Sequence, residues 1–186
     1  MKKYRKDDYP VADIRRFLEP GPVVLVSSSW RGHSNIMTMG WHMILEFTPS
    51  LFGCLISPAN HSYDMVRRSQ QCVINLPTAA LIDQVVGIGN CSGSEVDKFA
   101  RFGLTARAGA VVDAPMIDEC YASFEMRLHE GGGKNPRDGL FIWECVRAHV
   151  AGSPKLPETL HYRGDGQFML SGRTVSRRSG FKPEML

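Results

Sequence analysis

The chain has 186 residues, a formal net charge of +3 at pH 7 and a sequence pI of about 8.6. Hydrophobic residues make up 43% of the chain and charged residues 22%, a composition that excludes a disordered protein and indicates a folded globular one. The chain has no run of about eighteen apolar residues, so no membrane-spanning helix is predicted. Its basic residues are not interleaved with aromatic residues as they are in a nucleic-acid-binding surface.

Apolar periodicity predicts a short helix within residues 1–20, where Val11, Ile14 and Phe17 have helical spacing. Strands are predicted at residues 23–28, 36–42, 51–57, 71–76, 122–128 and 140–150, and helices from residue 62, at 78–88 and at 95–102. Because the first three strands follow one another without an intervening helix, the pattern favours a Greek-key or closed barrel over a parallel α/β sheet. The predicted fold class is therefore mainly β with inserted helices.

The five cysteines include no Cys-x-x-Cys pair, and their odd number indicates free thiols in a reducing cytoplasm. Cys54, Cys72 and Cys145 fall inside apolar runs and are predicted to be core residues. Cys91 lies in a polar turn and is the one thiol whose reactivity we would test. The start of the chain lacks the apolar stretch of a secretory signal, so a cytoplasmic protein is expected.

Three other classes of site are excluded by spacing. The six histidines form no close ligand pair, so no metal site is expected. The glycines at residues 87–93 lack the spacing of a dinucleotide-binding loop and follow a helix instead of a strand. The serines at residues 27–29 lack the nucleophile elbow of a serine hydrolase.

A short polar turn separates the third predicted strand from the helix that follows. The first turn of a helix leaves backbone N–H groups unpaired and carries the positive end of the dipole, so it can hold a phosphate. Ser57 and Asn60 would add polar partners for a ligand, and His61, Ser62 and Tyr63 would contact the phosphate itself. The alternative is an ordinary N-cap at Asn60 or Ser62.

The second predicted strand has an unusual composition. Its residues alternate between two faces, with Asn35, Met37, Met39 and Trp41 on one and Ile36, Thr38 and Gly40 on the other. Methionine and tryptophan offer polarisable, flat surface for an aromatic ring, and glycine inside a strand often marks the close approach of a ligand. The alternative is that Met37, Met39 and Trp41 are simply core residues.

Five motifs occur in a fixed order along the chain: Asn35-Ile-Met-Thr-Met-Gly-Trp41, Ser57-Pro-x-x-His-Ser62, Asn75-Leu-Pro77, Ser92-Gly-x-x-x-Asp-Lys-Phe99 and the segment from His161 to Met169. Together they resemble the flavin reductase-like, FMN-binding split-barrel family, and its flavoredoxin-like branch in particular. The resemblance implies a Greek-key split β-barrel of the FMN-binding type over residues 22–172. A helical extension at 1–21 and a tail at 173–186 would flank it.

The resemblance also assigns roles to individual residues. The second strand, through Asn35, Thr38, Met39 and Trp41, would contact the flavin ring, and Ser62 would lie beside the phosphate. The resemblance adds two further candidates to these.

Lys98 would lie near the flavin, and Phe168 would approach the ring. A surface lysine is the alternative for Lys98. His161 is a candidate proton donor or cofactor contact, with a structural role in a turn as the alternative. Relatives often carry a histidine just before the last long strand, where this chain has residues 137–140, and His129 is a candidate replacement.

The activity implied by the resemblance is transfer of electrons from NAD(P)H through bound FMN to a small-molecule or protein acceptor. FAD is the less favoured flavin. A homodimer with flavin sites near the subunit interface is also implied, with no nucleic-acid or membrane partner. Two alternatives stay open: an electron-transfer flavoprotein that is reduced by a protein partner, and a non-redox ligand-binding barrel.

Overall fold

The structure, a computed structural model, describes residues 1–14, 21–130, 139–176, 178–180 and 182. Its centre is an eight-stranded antiparallel sheet that forms an open barrel. The strands in chain order are β1 (Lys6–Tyr9), β2 (Val24–Trp30), β3 (His33–Met39), β4 (His42–Glu46), β5 (Leu51–Leu55), β6 (Gln71–Leu76), β7 (Ala106–Arg107), β8 (Met116–Ile117), β9 (Ala122–Leu128), β10 (Leu140–Ala151), β11 (Leu160–Tyr162) and β12 (Phe168–Leu170).

The order of strands around the barrel is β3-β2-β6-β9-β10-β5-β4, with β1 added beside β10, while β7–β8 and β11–β12 form two small separate ladders. β10 pairs along one edge with β9. Along its other edge it pairs first with β5 and then with β1. The two ends of the path, β3 and β4, are consecutive in the chain, so the barrel is open where Gly40 and Trp41 connect them.

In the part of the chain that the structure describes, three helices accompany the sheet: α1 (His61–Ser69), α2 (Ile82–Gly89) and α3 (Lys98–Phe102). Short 3-10 turns occur at Val11–Asp13, Ala79–Leu81 and Arg178–Gly180. Within the described residues, no helix combines the length and the apolar character needed to cross a membrane.

Apolar side chains fill both faces of the strands near the helices. On β2, Val24 and Val26 point into the barrel core with Trp143, whereas Leu25 points the other way. On that second face, Leu25 packs in a separate cluster with Val85 of α2. A strand that is buried on both faces requires a nearly continuous apolar sequence, which residues 23–26 have.

The predicted elements agree best with the observed ones where both faces of a strand are buried. β6 and β9 begin and end at the residues that the sequence pattern predicts. The prediction of one strand over residues 36–42 is wrong. β3 ends at Met39, and β4 begins at His42 after a two-residue connection.

The sequence did not predict the strand at the start of the chain, and the helix predicted after it is described only over its first residues. Lys6–Tyr9 form strand β1 and Val11–Asp13 a single 3-10 turn, while residues 15–20 lie outside the described residues. The polar segment becomes a strand because it pairs with the end of β10. In addition, the buried Lys6 ammonium donates to the carbonyl oxygens of Ile117 at 2.9 Å and Asp118 at 3.3 Å.

A buried carboxylate holds the loop before β8 against the barrel. Glu125 of β9 is fully buried and accepts hydrogen bonds from the backbone N–H groups of Ala110 (3.1 Å), Val111 (2.7 Å) and Val112 (3.0 Å). Its fourth partner is the ring Nε2 of His149 at 2.7 Å. Burial alone would raise the pKa of the Glu125 carboxyl, but these donors, with the Val111 N–H first, lower it below its usual 4.5.

We expect Glu125→Gln to destabilise the fold by about 2–4 kcal/mol at pH 7, because the amide cannot accept from all four donors. Since the pKa of Glu125 is lowered on folding, the carboxylate stabilises the protein above the unfolded pKa, and this contribution is lost as pH falls through the folded pKa. Urea denaturation at several pH values measures both effects. The free-energy difference between wild type and variant should shrink in acid. Glu144→Gln, which alters a half-exposed carboxylate, is the control and should cost much less.

Candidate functional site

Two neighbouring cavities lie beside β3 and α2. The apolar cleft has a volume of about 680 Å³, and its walls come from β3, α2, the β3–β4 connection and the β11–β12 hairpin. The polar cavity has a volume of about 500 Å³ and lies between β3, the start of α1 and the loop after α2. Gly89 and Asn90 line both, so the two cavities adjoin.

β3 supplies one wall of the apolar cleft. Met37 and Met39 line the cleft and also belong to the barrel core, with only 8% and 3% of their surfaces exposed. Packing in the core and contact with a ligand are therefore compatible for these two methionines. Thr38 lines the same cleft, and its hydroxyl donates to the Val85 carbonyl at 2.7 Å, which fixes α2 against β3.

Trp41 is not a core residue. It lies after the end of β3, lines the apolar cleft and is 74% exposed. Gly40 beside it also lines the cleft, and the Trp41 carbonyl accepts from the Leu55 N–H at 3.1 Å. An exposed indole at the mouth of an apolar cleft is typical of a binding surface.

His42 fixes the far wall of the cleft. Its ring stacks on Phe52 at 5.1 Å, and its Nε2–H donates to the Pro22 carbonyl at 2.7 Å. Burial lowers the pKa of His42, which favours the neutral ring. Since Gly21 and Val23 on either side of Pro22 line the cleft, this bond holds that wall in place.

The polar cavity is built around the start of α1. Asn60 is the N-cap, and its side chain accepts from the Ser62 N–H at 2.9 Å. The Ser62 hydroxyl, fully buried, in turn accepts from Asn35 Nδ2 at 2.9 Å. The N-cap interpretation is thus correct for Asn60, and the same chain of hydrogen bonds leads to Asn35 on the cavity wall.

Asn35 carries an unused acceptor. It is 3% exposed, and its Oδ1 has no hydrogen-bond partner among the described residues. Its amide lies directly against Gly93, where a Cβ atom would overlap it. A buried, unpaired amide oxygen is costly, so this atom marks a place for a ligand donor.

Lys98 is a buried cation on the same cavity. Only 5% of its surface is exposed, and its ammonium donates to the Ile88 carbonyl at 2.9 Å. Burial lowers the pKa of Lys98, and the neighbouring Cys91 opposes that shift. The surface-lysine alternative is therefore wrong, and an anion in the cavity would compensate the buried charge.

The β11–β12 hairpin brings two aromatic rings to the apolar cleft. Tyr162 and Phe168 have ring centroids 5.1 Å apart, and both line the cleft. His161 directly precedes Tyr162 in the sequence but lines neither cavity. Its Nε2 is 2.9 Å from the Thr159 hydroxyl, so the structure favours the structural role for this histidine.

The remaining predicted site residues are divided between the two cavities and the core. Ser57 lines the apolar cleft and His61 lines the polar cavity. Tyr63 lines neither, because its ring is buried in the barrel core and packs edge-on against Phe141 at 5.6 Å. Ser62 lies behind Asn35, which it orients.

The histidine that relatives carry before the last long strand is missing from this chain, which has no histidine at residues 137–140. Of these residues, 137 and 138 lie outside the described part of the chain. His129, the candidate replacement, lines neither cavity. Its Nδ1 is 3.7 Å from the Glu144 carboxylate.

Sequence reasoning missed part of the site. It rejected residues 87–93 as a dinucleotide loop, yet Gly89, Asn90, Cys91 and Gly93 of this segment line the polar cavity. The polar turn next to the Ser92–Phe99 motif was the sequence feature from which these residues could have been predicted. Val85, Val86 and Tyr162 of the apolar cleft carried no separate signal, because they resemble ordinary amphipathic surface.

The comparisons agree with this geometry. Residues 15–169 match the family model described as "Flavin reductase like domain". The chain belongs to this family. A curated relative, the uncharacterized protein YddH of Escherichia coli K12, is 28% identical over 87% of this chain and 92% of its own length.

Solved structures show the same fold. The FMN-binding domain of a flavin reductases-like enzyme from Shewanella baltica OS155 is 25% identical, with a TM-score of 0.84 over 95% of this chain and 99% of that one. Flavoredoxin of Desulfovibrio vulgaris (Miyazaki F) is 24% identical, with a TM-score of 0.77 over 85% of this chain and 90% of its own. The predicted split barrel is confirmed, and family membership supports flavin binding.

Gly93→Ala tests the polar cavity. Its Cβ would displace the Asn35 amide and break the bond to Ser62, so we expect FMN affinity to fall by roughly tenfold to a hundredfold, equivalent to about 1–3 kcal/mol. Quenching of flavin fluorescence on titration of the apoprotein measures the affinity. Gly152→Ala, where a Cβ meets no atom within 4 Å, is the control. Equal affinities for both variants would contradict the assignment of Asn35.

Proposed function

We propose that this protein is an FMN-binding oxidoreductase in which NAD(P)H reduces the bound flavin and the electrons pass to an acceptor. The observation that carries this proposal is the junction of the apolar cleft with the polar cavity, which holds a buried ammonium and an unpartnered amide oxygen. FMN has the matching arrangement, since a flat ring system is joined by a hydroxylated chain to a phosphate.

The apolar cleft suits the ring end of the flavin. Met37 and Met39 offer polarisable surface on β3, while Trp41 and Phe168 offer aromatic surface at the mouth and on the hairpin. Thr38 holds α2 in position against this wall.

The polar cavity suits the ribityl chain and the phosphate. The unpaired Oδ1 of Asn35 would accept from a ribityl hydroxyl. Lys98 has ammonium protons beyond the one given to Ile88, and His61 and Asn60 stand at the start of α1, so the phosphate would meet a cation and a helix N-terminus together.

The flavin, when bound, supplies the redox chemistry. The described lining of the apolar cleft contains no acidic, basic or histidine side chain, and Tyr162 is its one titratable group. The lining residues bind and orient the ring and exclude water from it. Similarity to the FMN-binding relative favours FMN over FAD as the flavin. The five free cysteines favour a reducing cytoplasm as the protein's location.

A second copy of this chain fits the edge of the barrel. Trp41, Met43, Leu45 and Phe47, here called the edge patch, are 74%, 58%, 43% and 52% exposed. They lie on or beside β4, the end strand of the sheet. Large apolar side chains grouped on an edge strand are a surface that a two-fold partner can bury. Because Trp41 also lines the apolar cleft, this homodimer would place the flavin site next to the subunit interface.

Met43→Lys tests the homodimer. The variant would have to bury a charge at the interface, which is unfavourable. We therefore expect the wild-type protein to have the mass of two chains, and the variant to have a mass closer to the 20.7 kDa of a single chain. Sedimentation velocity measures the mass. Leu156→Lys is the control, since Leu156 is 66% exposed and lies in the segment between β10 and β11. A monomeric wild type, or a variant that stays dimeric, would contradict the proposed interface.

The activity is tested by visible absorption of the FMN-loaded protein under anaerobic conditions, before and after NADH or NADPH. We expect the flavin bands to bleach far faster than those of the same concentration of free FMN. Oxygen or an added acceptor should restore them.

Other outcomes separate the alternatives. Flavin that binds but is reduced only by a protein donor would indicate an electron carrier. Flavin that binds and no donor reduces would indicate a ligand-binding barrel. Failure to bind FMN at all would overturn the proposed function.

A further inference from the structure

The cysteines differ sharply in their surroundings. All five are free thiols, and four of them are buried. Burial raises the pKa of Cys54, Cys120 and Cys145 to about 12 and that of Cys72 well above its usual value, so these thiols stay protonated and out of reach. Cys91 is partly exposed and opens onto the polar cavity.

Cys91 lies beside the buried cation. Its Sγ is 3.9 Å from the Ile88 carbonyl oxygen, and the Lys98 ammonium is 2.9 Å from the same oxygen. Thiol and ammonium therefore lie near the same carbonyl oxygen at the end of α2. The two protons of Lys98 that Ile88 does not use are available to a carboxylate.

The third group on this cavity is Asn35, whose buried Oδ1 has no partner among the described residues. The cavity thus combines a thiol, a cation and an amide acceptor. A small peptide disulfide carries the three complementary groups: a sulfur–sulfur bond, a carboxylate and an N–H donor.

We propose that Cys91 is a modification site at which a small, carboxylate-bearing peptide disulfide forms a mixed disulfide. The Cys91 sulfur attacks one sulfur of the disulfide, the sulfur–sulfur bond of the reagent breaks, and a new bond joins Cys91 to half of it. The other half leaves as a thiol and takes the proton of Cys91. Cys91 is oxidised and the peptide disulfide is reduced, so no further oxidant is required.

The adduct fills the polar cavity. It and a phosphate-bearing ligand would compete for Lys98 and Asn35, so modification and FMN binding exclude one another. The mutual exclusion of modification and FMN binding rests on the proposed function, whereas formation of the adduct on the flavin-free protein does not.

The experiment uses flavin-free protein with oxidised glutathione as the probe, followed by intact mass and peptide mapping. We expect one glutathionyl adduct, on Cys91, and none on Cys91→Ser. For each reagent, the rate of adduct formation on Cys91 is divided by the rate of the same reagent with N-acetylcysteine. This ratio should be larger for oxidised glutathione than for the neutral 2-hydroxyethyl disulfide. Lys98→Met should remove this preference, because it removes the cation and keeps a long apolar stem.

No adduct on Cys91 in the native protein, or no preference for the carboxylate-bearing reagent, would overturn the proposal. A second arm repeats the reaction with FMN-loaded protein, where we expect strong protection, and titrates the adduct with FMN, where we expect weakened binding. Modification at an unchanged rate despite bound FMN would overturn only the competition. Absence of FMN binding together with an adduct on Cys91 would overturn the proposed function and leave the modification site in place.

Discussion

The hydrogen bond from Asn35 Nδ2 to the Ser62 hydroxyl is the contact on which the site depends. It joins β3 to the start of α1, and it holds the Asn35 side chain on the wall of the polar cavity, with its Oδ1 unpaired among the described residues. Gly93 must lack a side chain for the amide to stay there. One strand thereby serves both cavities, with Asn35 at the polar end and Met39 at the apolar end, and the distance between them is fixed by the pleat of β3.

Charge is separated along the site in a way that suits a ligand with two unlike ends. The apolar cleft has no acidic, basic or histidine side chain in its described lining, whereas the polar cavity holds a cation that is almost completely buried. A buried ammonium bonded to one carbonyl is only partly compensated, so Lys98 favours the arrival of an anion. Cys91 lines the same cavity, and its Sγ and the Lys98 ammonium lie near one carbonyl oxygen, that of Ile88.

Local patterns predicted much of the fold, because β6 and β9 are buried on both faces and read as uninterrupted apolar or alternating runs. The Asn60 cap also followed from local sequence. Prediction failed at Lys6–Tyr9, where a polar segment becomes a strand only because β10 extends far enough to pair with it. It failed again at Trp41, whose position in an alternating pattern suggested a strand face although the strand had already ended.

The sequence by itself determined the family and the mainly β architecture, since motif order and hydrophobic period are written along the chain. Most of the residues that it predicted for the site line one of the two cavities. Only the tertiary structure decided that Tyr63 packs in the core, that the loop after α2 joins the site, and that Lys98 is buried. The physical reason is that burial depends on which distant segments meet. Ile88 and Asn35 reach Lys98 and Gly93 through the packing of α2 and α3 against β3, and sequence spacing does not encode that packing.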